Sequence, residues 1–448
     1  MKNLLYTLLA VLVLASCSSE IESLDSPKEI ETIEAEELIV PGAPPISLYS
    51  TSHQNHEWNN GWLSHSDLIS NGGTLDARLR GSLTYFDYGN DGDWDVFFQE
   101  ETSAPDFFNT WIIENRGKKD GVTKWIKRKD VISEVLPSGE RIPSGGRKMT
   151  QADLDNDGDT DFVFFIADDD GFWLSNGGVG NGEPAGGIFA FIYDNGGYTP
   201  IEIEPYQGSG NQWFYHGGTL GDLNGDGLVD ILAGTTKIKI WINEGGLKFT
   251  KYEPDIFENS FICSSEVFDI NQDGYLDLIV SDGNTFASYK SSRREFGYII
   301  FGKSEYPYFD TSNKQPLVAD RDGPSSPNQY DCLFDISVTD FDDDGDYDLF
   351  TSAYTTVPND TMSFLINYFE NTEDGMVNRT SELFIDDQNE GIVNNSGLIK
   401  LWDINNDGFK EILIEASNSD DFPSQTNQRG WDCFKMIDGK LVKGTCEK

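Results

Sequence analysis

Residues 153–161 read Asp153-Leu154-Asp155-Asn156-Asp157-Gly158-Asp159-Thr160-Asp161 and run directly into Phe162-Val163-Phe164-Phe165-Ile166. Carboxylates stand at loop positions 1, 3, 5 and 9, and glycine stands at position 6. A glycine there permits a tight reversal, because it adopts backbone angles that other residues avoid. The oxygens of positions 1, 3 and 5 then converge, and the carboxylate of position 9 returns to close the site. The pattern occurs six times, starting at Asp87, Asp153, Asp222, Asp269, Asp340 and Asp403, with starts 47 to 71 residues apart. That spacing is long enough for one four-stranded unit.

The flanks predict β-structure. SLTYF precedes the first loop and VFF follows it; FVFFIA follows the second, ILAG the third and LIV the fourth. Each loop with its flanks forms a hairpin. Further on, an aromatic strand, a Gly/Asn turn and another strand recur, as in IFAFIYDNGG and IKIWINEGG. Four strands per repeat without helical periodicity predict a propeller blade. An EF-hand is excluded: its twelfth position requires Glu, whereas this chain has Phe98, Phe164, Ala233, Val280, Thr351 and Ile414 there. A hard cation suits these oxygen ligands, and calcium suits them best.

The six loops resemble the FG-GAP and VCBS repeats, the family that includes the integrin α-subunit propeller and many bacterial surface proteins. The resemblance covers roughly residues 80 to 448. It implies an all-β radial propeller with about one Ca2+ per loop, up to six. Position by position, the ligands implied are Asp153, Asp155, Asp157 and Asp161; Asp222, Asn224, Asp226 and Asp230; Asp269, Asn271, Asp273 and Asp277; and Asp340, Asp342, Asp344 and Asp348. The first loop keeps Asp87, Asp91 and Asp95 but has Gly89 at position 3. The last keeps Asp403, Asn405 and Asp407 and has Glu411 at position 9, where a longer arm must reach the same point. Six blades are legible. Residues 47–80 hold strand-like material (ISLYS, GWL, TLDARL) without an aspartate loop, and form either a degenerate seventh blade or an edge cover.

The N-terminus is a separate unit. Lys2, the apolar run Leu4–Leu14 and Ala15-Ser16-Cys17 have the order of an export signal, and the run is too short to span a bilayer. Leu14-Ala15-Ser16-Cys17 also resembles the bacterial lipoprotein box, which implies cleavage of 1–17 with lipidation of Cys17. Residues 18–46 are acidic and end in Pro-Gly-Ala-Pro-Pro, a composition that reads as a flexible tether. Ser18 is not the Asp of inner-membrane retention, and the acidic stretch is similar to the export signal of surface lipoproteins in the Bacteroidetes. The expected location is therefore the outer membrane or cell surface of a bacterium, held by lipid alone, with residues 47–448 as the propeller.

A net charge of −45, from 77 carboxylates against 32 Lys and Arg, excludes nucleic acid as a partner and docking onto anionic lipid. It is compatible with cations bound by the repeats. Of the cysteines after Cys17, Cys433 and Cys446 flank a predicted hairpin at Asp438-Gly439 and are favoured as a disulfide. Cys263 and Cys332 are bonded or simply buried, and no spacing suggests zinc.

Aspartate loops join strands 1 and 2 of each blade, so connections from strand 2 to 3 and between blades emerge at the other end. Trp173, Trp213, Tyr215, His216, Tyr289, Arg293, Arg294, Arg429 and Trp431 fall in or near those connections. Aromatic planes beside Arg suit glycans and protein hot spots alike. The expected function is a binding or display module for a glycan or protein, not an enzyme. The alternative is a polysaccharide lyase or hydrolase with Tyr215 and His216 as proton-transfer candidates. Against it, His53-Gln54-Asn55-His56 is no HExxH helix, His65 is isolated, and there is no GxSxG elbow.

Overall fold

The computed structural model describes residues 81–89, 95–100, 109–119, 122–139, 142, 146–166, 187–205, 215, 217–234, 237–256, 262, 264–281, 295–319, 332–357, 361–385, 392–393, 395–402, 411–416 and 432–444. Among them are six antiparallel sheets, one per aspartate loop. The first comprises β1 (Gly81–Phe86), β2 (Asp95–Glu100), β3 (Asn109–Lys119) and β4 (Val122–Arg128); the second β5 (Gly146–Ala152), β6 (Asp161–Ile166), β7 (Gly187–Asp194) and β8 (Gly197–Glu204). The third comprises β9 (Gly217–Gly221), β10 (Asp230–Gly234), β11 (Ile238–Asn243) and β12 (Phe249–Tyr252); the fourth β13 (Ser265–Phe268), β14 (Asp277–Ser281), β15 (Glu295–Gly302) and β16 (Phe309–Val318). The fifth has β17 (Cys332–Thr339), β18 (Asp348–Val357), β19 (Thr361–Glu370) and β20 (Val377–Asn378), followed by the short helix α1 (Thr380–Leu383) and by β21 (Ile392–Val393), which also pairs with β19. The sixth holds β22 (Asn395–Trp402), β23 (Glu411–Ala416), β24 (Asp432–Ile437) and β25 (Lys440–Gly444).

Every sheet is a meander in which strands pair in chain order. Each second strand begins at the ninth loop residue, so every aspartate loop is the turn of the first hairpin. The last hairpin turns at Asp438-Gly439, both with positive φ as a two-residue turn requires, and places Cys433 opposite Gly444. Cys446 and Cys263 lie outside the described residues, as do residues 1–80 with Cys17, the tether and the strand-like stretch 47–80.

The second strands show why the sheets stack. Along β6, Phe162, Phe164 and Ile166 enter a core shared with the first sheet, while Val163 and Phe165 enter one shared with the third. Along β10, Ile231 and Ala233 face the second sheet and Leu232 the fourth. Along β14, Leu278 and Val280 face the third sheet and Ile279 the fifth. Side chains alternate across a strand, so an unbroken apolar run is one that buries both faces. Five apolar layers thus lie between six consecutive sheets.

The first strands run beside one another: β1 by β5, β5 by β9, β9 by β13, and β17 by β22. Close approach there depends on glycine. A Cβ on Gly217 of β9 would lie 2.8 Å from the backbone of Ser264 and Ser265, where β13 begins.

Replacing a fully buried aromatic leaves a cavity in such a layer, costing about 3–5 kcal/mol. Phe165→Ala is expected to lower the unfolding free energy by an amount in that range, whereas Ile437→Ala, at a side chain 51% exposed, should stay within about 0.5 kcal/mol. Chemical unfolding of the two variants measures the contrast.

Candidate functional site

Loops two to five are described in full. In each, the first aspartate folds the loop around its own carboxylate. Asp153 accepts from the N–H groups of Asp157 (3.0 Å) and Gly158 (2.9 Å). Asp222 accepts from Gly225, Asp226 and Gly227, and Asp269 from Asp273 and Gly274. Asp340 accepts from Gly345 at 3.2 Å. The glycine at position 6 has positive φ in all four (Gly158, Gly227, Gly274, Gly345), as expected.

Position 4 is left-handed as well: Asn156, Gly225, Gln272 and Asp343 have φ between 56° and 76°. Sequence reasoning missed this second reversal. Its signal was present, since Asn, Gly and Asp are the residues that tolerate that region most readily. In loop one Gly89, at position 3, has positive φ; residues 90–94 with Asp91 lie outside the described residues, as do Asp403, Asn405 and Asp407 of loop six.

The ninth residue does more than close the loop. Asp161 is buried and accepts two backbone N–H bonds, from Leu154 at loop position 2 and from Tyr193 at the end of β7, both at 2.9 Å. Asp230 does the same with Leu223 and Asn243, Asp277 with Ile270 and Gly302, Asp348 with Phe341 and Asn371, and Asp95 with Tyr88 and Asn115. One carboxylate therefore ties the loop, the second strand and the third strand together. Glu411, in the sixth repeat, is buried at the same position. Burial pushes Asp161 and Asp230 up to about 7, and Asp277 and Asp348 to about 6, against the lowering effect of those N–H donors.

Two of these clamps reach into the preceding sheet. Asn243 donates from Nδ2 to the carbonyl of Leu154 at 2.8 Å, and Asn371 from Nδ2 to that of Ile270 at 3.0 Å. Both acceptors sit at position 2 of the previous aspartate loop. Gln272 adds a direct bond from its amide to the carbonyl of Gly345 in the next loop.

The donor set fits a hard cation. Carboxylate oxygens of Asp153, Asp155 and Asp161 lie within 4.8 Å of one another, as do those of Asp340, Asp342 and Asp344. Asp155 Oδ1 is buried without a hydrogen-bond partner, a costly state unless something positive completes it. Burial and the neighbouring carboxylates raise the pKa of Asp155 and Asp342. In loops three and four an amide relieves that repulsion: Asn224 donates to Asp226, and Asn271 to Asp273.

The expected ligand face is different. Trp173, Trp213, His216, Tyr289, Arg293, Arg294, Arg429 and Trp431 lie outside the described residues. Tyr215 is described and corrects its expectation: it is 1% exposed, packed in the layer between the second and third sheets. Its hydroxyl accepts a hydrogen bond from Lys239 Nζ at 3.1 Å, and burial raises its pKa. The residue is apolar-packed because its ring meets Trp241 at 6.1 Å, and it presents nothing to a ligand.

These features define an all-β repeat protein whose unit is a four-stranded meander with an aspartate loop at its first hairpin. An FG-GAP-like repeat is found at residues 222–280, from the first aspartate of loop three through the second strand of the fourth sheet. This match supports an FG-GAP/VCBS repeat protein. No curated protein matches the chain.

With chelator present, Asp277→Ala strands two backbone N–H groups and should cost about 3 kcal/mol or more, each charged hydrogen bond being worth about 1.5–3. Asp273→Ala, on the exposed loop, should cost about 1 kcal/mol; equal losses in chemical unfolding would show that the ninth residue has no clamping role. Burial pushes the Lys239 amine down to about 8 from 10.5. Between those values the unfolded chain binds more protons than the folded one, so stability rises with pH. Lys239→Met should flatten that rise in unfolding measured from about pH 8 upward.

Proposed function

We propose that the chain is an exported, lipid-anchored calcium-binding β-propeller that serves as a binding or display module for a glycan or protein. The observation that carries this reading is the regular array of aspartate loops, five of which, among the described residues, are clamped by a buried carboxylate onto the same point of a stacked sheet. A scaffold that holds its turns so firmly is suited to presenting loops in fixed relation to one another. The FG-GAP-like repeat is in keeping with a propeller-like binding module.

In this reading Asp153, Asp155, Asp157 and Asp161 hold one Ca2+, and the corresponding residues of the other loops hold theirs. The cation would balance the carboxylates that crowd each turn. It joins the loop's first half to the clamped ninth residue, so binding favours the folded state. The second strands end away from the aspartate loops, and the long connections expected from the sequence at residues 168–187, 284–295 and 416–430 are the proposed ligand-binding region. The fourth such stretch, residues 306–330, instead holds strand Phe309–Val318. Lipidation at Cys17 and an acidic tether would hold the propeller at the outer membrane or cell surface.

Thermal melting of the full chain with calcium and with chelator tests the metal assignment. Saturation at a hundred times Kd stabilises by about 2.7 kcal/mol per site, and Asp157→Ala or Asp344→Ala should reduce the calcium-dependent part. Melting curves that ignore calcium in all three proteins would refute it. A panel of polysaccharides and surface proteins, assayed for binding and for degradation products, tests the rest: calcium-dependent binding without products is expected, and shortened or unsaturated sugars would move the protein to the enzyme class.

A further inference from the structure

The four fully described aspartate loops are not equally connected to one another. Position 2 of each lies between positions 1 and 3, and its N–H is held by the carboxylate of position 9. Its carbonyl is the group that a neighbouring sheet can reach.

Asn243 reaches the one in loop two. Its Nδ2 donates to the carbonyl of Leu154 at 2.8 Å and to that of Val229, position 8 of loop three, at 3.2 Å. Its Oδ1 accepts from Gly245 N–H at 3.0 Å, and its own N–H is held by Asp230 at 2.8 Å. Bonded at both amide atoms and fully buried, the side chain is fixed between the two loops. Because the peptide unit is planar, holding the Leu154 carbonyl also holds the nitrogen of Asp155, the residue whose Oδ1 is buried without a hydrogen-bond partner.

Asn371 repeats the arrangement between loops four and five, with its N–H on Asp348 at 2.8 Å and its Nδ2 on the Ile270 carbonyl at 3.0 Å. Two further contacts join the same pair: Gln272 Nε2 donates to the Gly345 carbonyl at 3.1 Å, and the Phe268 and Tyr347 rings meet edge to face at 4.6 Å. Between loops three and four the equivalent residue is Gly302. Its N–H is held by Asp277 at 2.7 Å in the same way, but a Cβ there would lie 2.5 Å from the Leu276 carbonyl oxygen. No side chain can bridge from that place.

We propose that Asn243 and Asn371 are positioning residues that make the loops take up calcium in two coupled pairs, two with three and four with five, while three and four act independently. The proposal rests on the calcium reading above. When loop three is occupied, Asp230 is fixed and Asn243 with it, so the backbone that presents Asp155 is already ordered and less entropy is lost when loop two fills. Linkage makes the effect reciprocal. One amide hydrogen bond supports a coupling of about two- to tenfold in affinity, and loops four and five, with Gln272 as well, should show the larger factor.

Hydrogen–deuterium exchange of the full chain across a calcium titration, read peptide by peptide, gives a calcium midpoint for each loop. Asp226→Ala removes a proposed ligand from loop three without touching its clamp. It should raise the midpoint of loop two about two- to tenfold and leave loops four and five where they were. Asp273→Ala should do the same to loop five and spare loops two and three. With Asn243→Ala in place, Asp226→Ala should no longer shift loop two. A merely structural asparagine would not produce that non-additivity. If Asn243→Ala fails to fold, the two ligand variants decide alone, both being on exposed turns. Should loops two and four respond alike to Asp226→Ala, or neither respond, the coupling is overturned and calcium binding stands. Exchange indifferent to calcium in every loop overturns the metal assignment and the coupling with it.

Discussion

A buried carboxylate at the start of each second strand organises this molecule. It accepts one N–H from the aspartate loop behind it and another from the third strand beside it, so three pieces of chain that are distant along the sequence meet at one side chain. Burial opposes its ionisation, and the two donors only partly offset that. The loop in front, rich in oxygens that converge without enough donors, is where a cation would supply the rest. Stability of the strand framework and chemistry of the loop therefore share a residue.

That clamp is repeated because the layers are repeated. Each sheet buries both faces, so none is complete without neighbours, and the apolar run of a second strand serves two cores at once. Polar contacts cross the same seams. Asn243 and Asn371 reach back to the preceding loop from the residue whose own N–H is held by the clamp, linking loop two to three and loop four to five. Gly302 occupies the equivalent place in the fourth sheet and has no side chain to do so; its bareness admits the Leu276 backbone instead. The first strands add hydroxyl and carboxylate partners, as where Thr219 meets Glu266.

The two ends of such a scaffold differ in kind. One holds short turns, most of them determined by backbone hydrogen bonding to aspartate, and several carry left-handed residues, among them Asn156, Leu247, Gln272, Tyr308 and Asp343. The other end is left by the second strands into connections of very different lengths. A framework with rigid strands and unequal loops separates what must be repeated from what is free to specialise.

Much of this was legible in the residues. Six spaced loops with glycine at position 6 specify hairpins, and the runs after them specify strands, because local backbone preference and alternation act over a few residues. The spacing of carboxylates likewise specifies an oxygen-rich turn. The sequence could not show that position 9 spends its oxygens on N–H groups of another strand, since those partners are 20 to 32 residues away in loops one and two and are backbone atoms that any residue supplies. Nor could it show that Tyr215, polar at its tip and beside a histidine, is sealed between two sheets with Lys239 on its hydroxyl. Burial is a property of the layer that closes over a residue, and only the stacking of sheets decides it.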